Sequence, residues 1–135
     1  MLFRSVRTRE AFPMNWAGTQ NNLGAAYQSL PGGDREANLR QAIACHEAAL
    51  QVYTREAFPM NWAMTQNNLG AAYGDLPGGD REANLRQAIA CYEAALQIYR
   101  LVHIDYYADV VDGNLDSAKD ELQSLEQRES QDHEV

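Results

Sequence analysis

Residues 8–53 and 54–99 of this 135-residue chain are one sequence written twice. They align without a gap over 46 positions, 41 of them identical; the exceptions are Gly18/Met64, Gln28/Gly74, Ser29/Asp75, His46/Tyr92 and Val52/Ile98. A chain that repeats with a fixed step makes one supersecondary unit per step. Such a unit is too small to bury its apolar face alone, so successive units stack. Near-identity also means that agreement between the copies says little about constraint. The five differences are the informative positions.

Each unit reads as two helices. Pro13 suits a first helical turn, where its fixed φ and missing N–H cost little. From there Trp16, Gln20, Leu23, Tyr27 and Leu30 recur at alternating fours and threes, one stripe of a helix. "PGGD" at 31–34 stops that helix, and Asp34 is a good N-cap for the next one. The second helix sets Leu39, Ala42, Ile43, His46, Ala49, Leu50 and Tyr53 on one face. Gly24, Ala26, Ala42 and Ala49 are small where two helices would cross closely. The second copy repeats the plan through Pro59, Trp62, Leu69, Tyr73, Asp80, Ile89 and Tyr99.

"LGAAY" followed by "AIACHEAAL" or "AIACYEAAL" resembles the tetratricopeptide repeat (TPR) family, whose pattern is Leu-Gly-x-x-Tyr, then Ala-x-x-x-Phe, then Ala. Leu23, Gly24, Tyr27, Ala42 and Ala49 fill those slots, as do Leu69, Gly70, Tyr73, Ala88 and Ala95. The departures are definite. Gln20 and Gln66 stand in the family's Trp slot, with Trp16 and Trp62 one turn earlier, and His46 and Tyr92 stand in its Phe slot. The period is 46 and not 34, so the helices are expected to run roughly 18–20 residues. This long variety is similar to bacterial, especially cyanobacterial, arrays, some fused to caspase-like protease domains, and to kinesin light chain repeats. The resemblance implies an all-α, right-handed α-solenoid of antiparallel helix pairs, about five helices plus a short N-terminal helical segment.

The expected organisation follows from the register. Residues 1–12 end a preceding helix, Leu2, Phe3 and Val6 matching Ala48, Ala49 and Val52. Residues 13–58 and 59–104 are the two units, 105–128 form a C-terminal capping helix, and 129–135 a flexible polar tail. In the capping helix Val111, Leu115, Ala118 and Leu122 keep an apolar side, while Asp109, Asp112 and Asp116 replace Ala63, Gln66 and Gly70 on the side that would meet a further helix. An acidic face there suits a surface meeting water.

Charge follows the same division. Residues 1–104 carry nine Lys/Arg and nine Asp/Glu, whereas residues 105–135 carry ten acids against Lys119 and Arg128, which is the whole net charge of −8. A neutral body with an acidic end argues against nucleic acid as a partner. No apolar run approaches the ~20 residues of a membrane span, and "MLFRSVRTRE" is too short and charged for a secretory signal. A cytoplasmic protein without membrane association is expected.

Little in the chain suggests catalysis, a metal or another cofactor. Cys45 and Cys91 fall at equivalent points of the two copies and read as small buried thiols. His46, His103 and His133 share no ligand spacing, and Cys45 and His46, as helix neighbours, point about 100° apart. "DGNLD" at 112–116 echoes a calcium loop, but the sixth position is Ser117 and the twelfth Gln123, so calcium is not expected. Without a following Gly-Lys-Ser/Thr, "PGGD" is a turn and no phosphate loop.

What remains is a binding surface. If Trp16, Leu23 and Tyr27 face the core, the exposed stripe of the first helix is Met14, Gly18, Asn21/Asn22, Ala25 and Gln28/Ser29, and its counterpart is Met60, Met64, Asn67/Asn68, Ala71 and Gly74/Asp75. Asn precedes Leu at 22, 68 and 114, each 46 apart. A carboxamide offers a donor and an acceptor together, which matches one peptide unit of an extended chain. Superhelical members of the resembled family use asparagines here to grip peptide backbone. That implies a ladder of Asn22, Asn68 and Asn114 assisted by Asn21 and Asn67, with Met14, Met60, Met64, Gln28 and Asp75 in the same groove. The competing reading has the amides bonding to a neighbouring helix and only fixing the stacking. The expected function is a protein–protein interaction scaffold for an extended peptide; the alternative is a structural or self-associating module, a domain-swapped or head-to-tail homo-oligomer.

Overall fold

The computed structural model of the protein describes residues 9–134. Five helices follow in order: α1 Pro13–Ser29, α2 Arg35–Leu50, α3 Pro59–Asp75, α4 Arg81–Leu101 and α5 Asp105–His133, with residues 9–11 helical ahead of them. There is no strand among the described residues. Each boundary of α1 recurs 46 residues later in α3, and α5 starts 46 residues after α3.

Local chemistry sets these boundaries. Pro13 and Pro59 open α1 and α3 at a first-turn position. The connection into α2 needs a residue with φ of +79° at Gly33, and that into α4 the same at Gly79, +78°; a side chain would be strained there. Asp34 and Asp80 then accept from the backbone N–H of Ala37 and Ala83 at 3.2 and 3.1 Å. Asn38 and Asn84 fasten the turn by donating to the carbonyls of Gly32 and Gly78 at 2.9 and 3.0 Å.

Each helix packs on the next in the chain. In addition α1 approaches α3, and α3 approaches α5, whereas α2 and α4 do not meet. Leu39, Ala42 and Ile43 of α2 pack on Leu69 and Ala72 of α3 and on Leu76 just past its end, joining the two units. The larger core gathers Ala63, Leu85, Ala88, Tyr92, Ala95, Leu96 and Tyr99 with Val111, Leu115 and Ala118 of α5. Helix α3 therefore buries two faces, one against α2 and one against α4.

This geometry corrects the expected core face of α1. Leu69 is 6% exposed but Leu23, its equivalent, is 43% exposed. Of the stripe Trp16–Leu23–Tyr27, Trp16 is half-buried against Ala49 and Tyr53 and Tyr27 half-buried against the cluster of Leu39, Ala42 and Leu69, so Leu23 alone is exposed. The buried face of α1 is instead Ala17, Asn21 and Gly24, against its own partner helix.

The C-terminal segment also differs from expectation. Residues 129–133 continue α5 and do not form a loose tail. "QRESQDH" contains no Gly or Pro, and Glu, Gln and Arg are good helix formers, so nothing ends the helix there. Its acids are in part paired: Glu121 with Arg81, Glu126 with Arg86 at 3.0 Å, and Asp112 with Arg100 at 3.6 Å. Leu2, Phe3 and Val6 lie outside the described residues.

Small residues allow the paired helices to approach. A Cβ on Gly24 would lie 2.6 Å from Cε1 of His46, and one on Gly70 would lie 2.9 Å from Cε1 of Tyr92 and 3.2 Å from the carbonyl of Ala88. Gly113 in α5 has nothing within 4 Å of that position. Gly24→Ala is therefore expected to lower stability by about 1–3 kcal/mol through overpacking, while Gly113→Ala raises it by about 0.5–1 kcal/mol through helix propensity. Urea unfolding of the two variants measures both signs.

Candidate functional site

The interface between α1 and α2 holds a polar cluster in its centre. His46 is fully buried, with Nδ1 2.8 Å from Oδ1 of Asn21 and Nε2 2.6 Å from Oε1 of Gln28. Nε2 of Gln28 in turn donates to the backbone carbonyl of Asn68 on α3 at 3.2 Å. Burial pushes the imidazole down to about 4, so the ring is neutral at pH 7. A neutral ring has one N–H and one lone pair. The Asn68 carbonyl fixes Gln28 with its oxygen toward the ring, so Nε2 carries the hydrogen and donates to Oε1. Nδ1 is then satisfied when the Asn21 amide turns its nitrogen toward the ring, an exchange its shape permits.

The second unit keeps the frame and changes the filling. Tyr92 replaces His46 and Gly74 replaces Gln28, so a larger ring arrives where a side chain has gone. Arg35 donates to the carbonyl of Gln28 and pairs with Asp75 at 3.6 Å. Its equivalent Arg81 donates to the carbonyl of Gly74 at 2.7 Å and to Glu121 at 2.6 Å. What Gln28 fills in the first unit is open in the second: a cavity of about 240 Å³ lined by Gly74, Asp75, Arg81, Leu85, Tyr92, Asn114, Ser117, Ala118 and Glu121. Asn67, the equivalent of Asn21, is half-buried and accepts from Nδ2 of Asn114 at 3.3 Å.

The residues expected to line a groove separate accordingly. Asn21 is 4% exposed and serves the interior, which removes it from any surface; the cause is the imidazole beside it. Gln28 is half-buried, its carboxamide engaged by His46 and the Asn68 carbonyl. Met60 is half-buried and packs on the larger core. Asn67 and Asn114 bond to each other between α3 and α5, as the stacking alternative would have it. Asn22 is exposed and Asn68 half-buried, and neither side chain makes a hydrogen bond among the described residues. Met14 and Met64 are 49% and 42% exposed, and Asp75 is exposed at the rim of the cavity. The His46–Asn21–Gln28 cluster and the Gly74 cavity were not foreseen. The joint change of Gln28 to Gly74 and His46 to Tyr92, two of only five differences, was their signal.

Chemistry elsewhere is sparse. Cys45 and Cys91 are free and buried, and burial raises both thiols, Cys91 to about 11, which keeps them protonated and unreactive. Among the described residues no group of three or more His, Cys, Asp or Glu could hold a metal ion, and no helix is long and apolar enough to cross a membrane. No family description, curated protein or solved structure matches the chain.

The two fillings are expected to be coupled. Gln28→Gly leaves a buried imidazole N–H without its acceptor, and His46→Tyr drives a larger ring into Gln28. The double variant reproduces the second unit and should recover about 1–3 kcal/mol of the summed losses in a double-mutant cycle. Acid provides the second check. His46 titrates near 6.5 when unfolded and near 4 when folded, so its contribution is complete above pH 6.5 and is lost as pH falls toward 4. The loss amounts to about 3 kcal/mol. Chemical denaturation across that range should show a stability loss in the parent that the double variant, which lacks His46, does not share.

Proposed function

We propose that the chain is a right-handed α-solenoid with no catalytic role of its own, and that α1, α3 and α5 build a concave face that holds an extended peptide or a segment of a partner protein. The approach of α1 to α3 and α3 to α5, while α2 and α4 stay apart, supports such a curve. The observation that carries the reading is the row of Asn22, Asn68 and Asn114 at one register on three helices, the first two with side-chain amides unengaged among the described residues. An unengaged carboxamide offers one donor and one acceptor to a peptide bond. Met14 and Met64 beside them give polarizable contacts that adapt to different side chains.

The proposal is narrower than a ladder of five amides. Asn21 is withdrawn by His46, and Asn67 with Asn114 forms a bridge that a peptide would have to open or accept as it stands. No Lys or Arg lies among these residues, so the carboxylate clamp that chaperone-binding members of the resembled family use is missing. The partner class proposed is an internal, extended segment of a protein, met in the cytoplasm.

Fluorescence polarisation against a library of extended peptides tests the reading. Peptides that bind should lose roughly 3- to 10-fold in affinity in Asn68→Ala, the cost of one hydrogen bond pair, with no loss of thermal stability. Unchanged affinities in a folded Asn68→Ala protein would remove the amides from the binding surface.

A further inference from the structure

The two units supply an internal comparison: the same cradle appears once filled and once empty. In the first unit the carboxamide of Gln28 occupies it, donating to the backbone carbonyl of Asn68 and accepting from His46. In the second unit much of that frame recurs, Arg81 for Arg35, Leu85 for Leu39, Asn114 for Asn68 and Glu121 for Asp75, with Tyr92 in place of His46, but Gly74 supplies no side chain. We infer that the Gly74 cavity is a specificity pocket for a side-chain carboxamide, a glutamine presented by the bound partner, which takes the place that Gln28 holds in the first unit. The inference rests on the peptide-binding reading above and names one side chain that such a peptide carries.

The lining suits that chemistry. The backbone carbonyl of Asn114 is the equivalent of the acceptor used by Gln28, and a helical carbonyl has a second lone pair for a side-chain donor. The Tyr92 hydroxyl lines the cavity and makes no hydrogen bond among the described residues. Its proton is held firmly, burial and the nearby Asp75 pushing the phenol to about 12, so it donates at neutral pH to the amide oxygen. Leu85, Ala118 and the Tyr92 ring give the apolar wall that two methylenes need. Charge favours a neutral guest. Asp75 and Glu121 lie at the cavity but face Arg35 and Arg81, so neither sign is left in excess. A carboxylate would lack a donor for the Asn114 carbonyl, and an ammonium would leave the Tyr92 hydroxyl without an acceptor. A Cβ at position 74 would stand 3.9 Å from both Ala88 Cβ and the Tyr92 hydroxyl, ordinary contact, so a side chain can be grown from the backbone into the cavity.

The test uses N-acetyl-glutamine N′-methylamide as probe, with the glutamate and norleucine analogues as controls, followed by ¹H–¹⁵N NMR on the full chain. The glutamine probe should shift the signals of Gly74, Tyr92 and Asn114 saturably, and both controls should bind at least about 10-fold more weakly, the worth of one to two hydrogen bonds. Gly74→Gln should abolish the effect by filling the cavity from within. Tyr92→Phe, which keeps the ring and removes only the hydroxyl, should weaken the glutamine probe and leave the norleucine analogue unchanged. No saturable shift, or equal response to all three probes, overturns the pocket. If extended peptides bind with Asn68 dependence while Gly74→Gln and the probes have no effect, only the pocket is lost. If the glutamine probe binds and no extended peptide does, the pocket stands and the longer surface is lost.

Discussion

The paired helices of each unit meet so closely at Gly24 and Gly70 that only one ring fits between them, and the identity of that ring decides how the polar groups around it are used. With histidine, two buried nitrogens need partners, and Asn21 and Gln28 provide them. An unpartnered buried donor costs about 1–3 kcal/mol, so those two amides are committed to the interior. With tyrosine the two ring nitrogens are gone, and the equivalents of Asn21 and Gln28 are no longer needed beside the ring. Asn67 is released to bond Asn114 on α5, and position 74 needs no side chain. Units with 41 of 46 residues in common thus differ in which amides their own interior engages.

Around this centre the frame is constant. Arg35 and Arg81 each tie the end of a first helix to the next first helix, through a carbonyl and a carboxylate. Such exposed pairs contribute little stability singly, and their role is to hold register. The acidic character of α5 is part of the same device, since Glu121 and Glu126 lie opposite Arg81 and Arg86. The excess negative charge of the chain therefore sits in part on the face that joins α5 to α4.

Much of the helix plan was legible from local chemistry. Pro13, the PGGD turns and Asp34 marked boundaries that hold to within a residue, because each acts through its own backbone. The 46-residue step placed α5 in register with α3 even though few residues match. The face assignments were less legible. A first helix meets more than one neighbour, α3 touching α2, α4, α1 and α5, so a single apolar stripe such as Trp16–Leu23–Tyr27 identifies only some of its contacts. Asn21 reads as exposed when Trp16, Leu23 and Tyr27 are set toward the core, and only the position of His46, 25 residues away, shows that it is consumed inside. The end of α5 differs for a related reason: its polar composition suggests a loose tail, but nothing in it breaks the helix.

On the proposed reading, a small set of groups is left to carry recognition: the amides of Asn22 and Asn68, the thioethers of Met14 and Met64, and the Gly74 cavity with its Tyr92 hydroxyl. All belong to or open beside α1, α3 and α5, the helices that approach one another along the chain. The account's central claim is that a partner lies along that succession of helices. Intermolecular nuclear Overhauser contacts from a bound peptide to assigned protein signals test it most directly. The account predicts contacts to Met14, Asn22, Met64 and Asn68 in one continuous line; contacts confined to the exposed faces of α2 and α4, such as Arg40, Glu47 and Arg86, would contradict it.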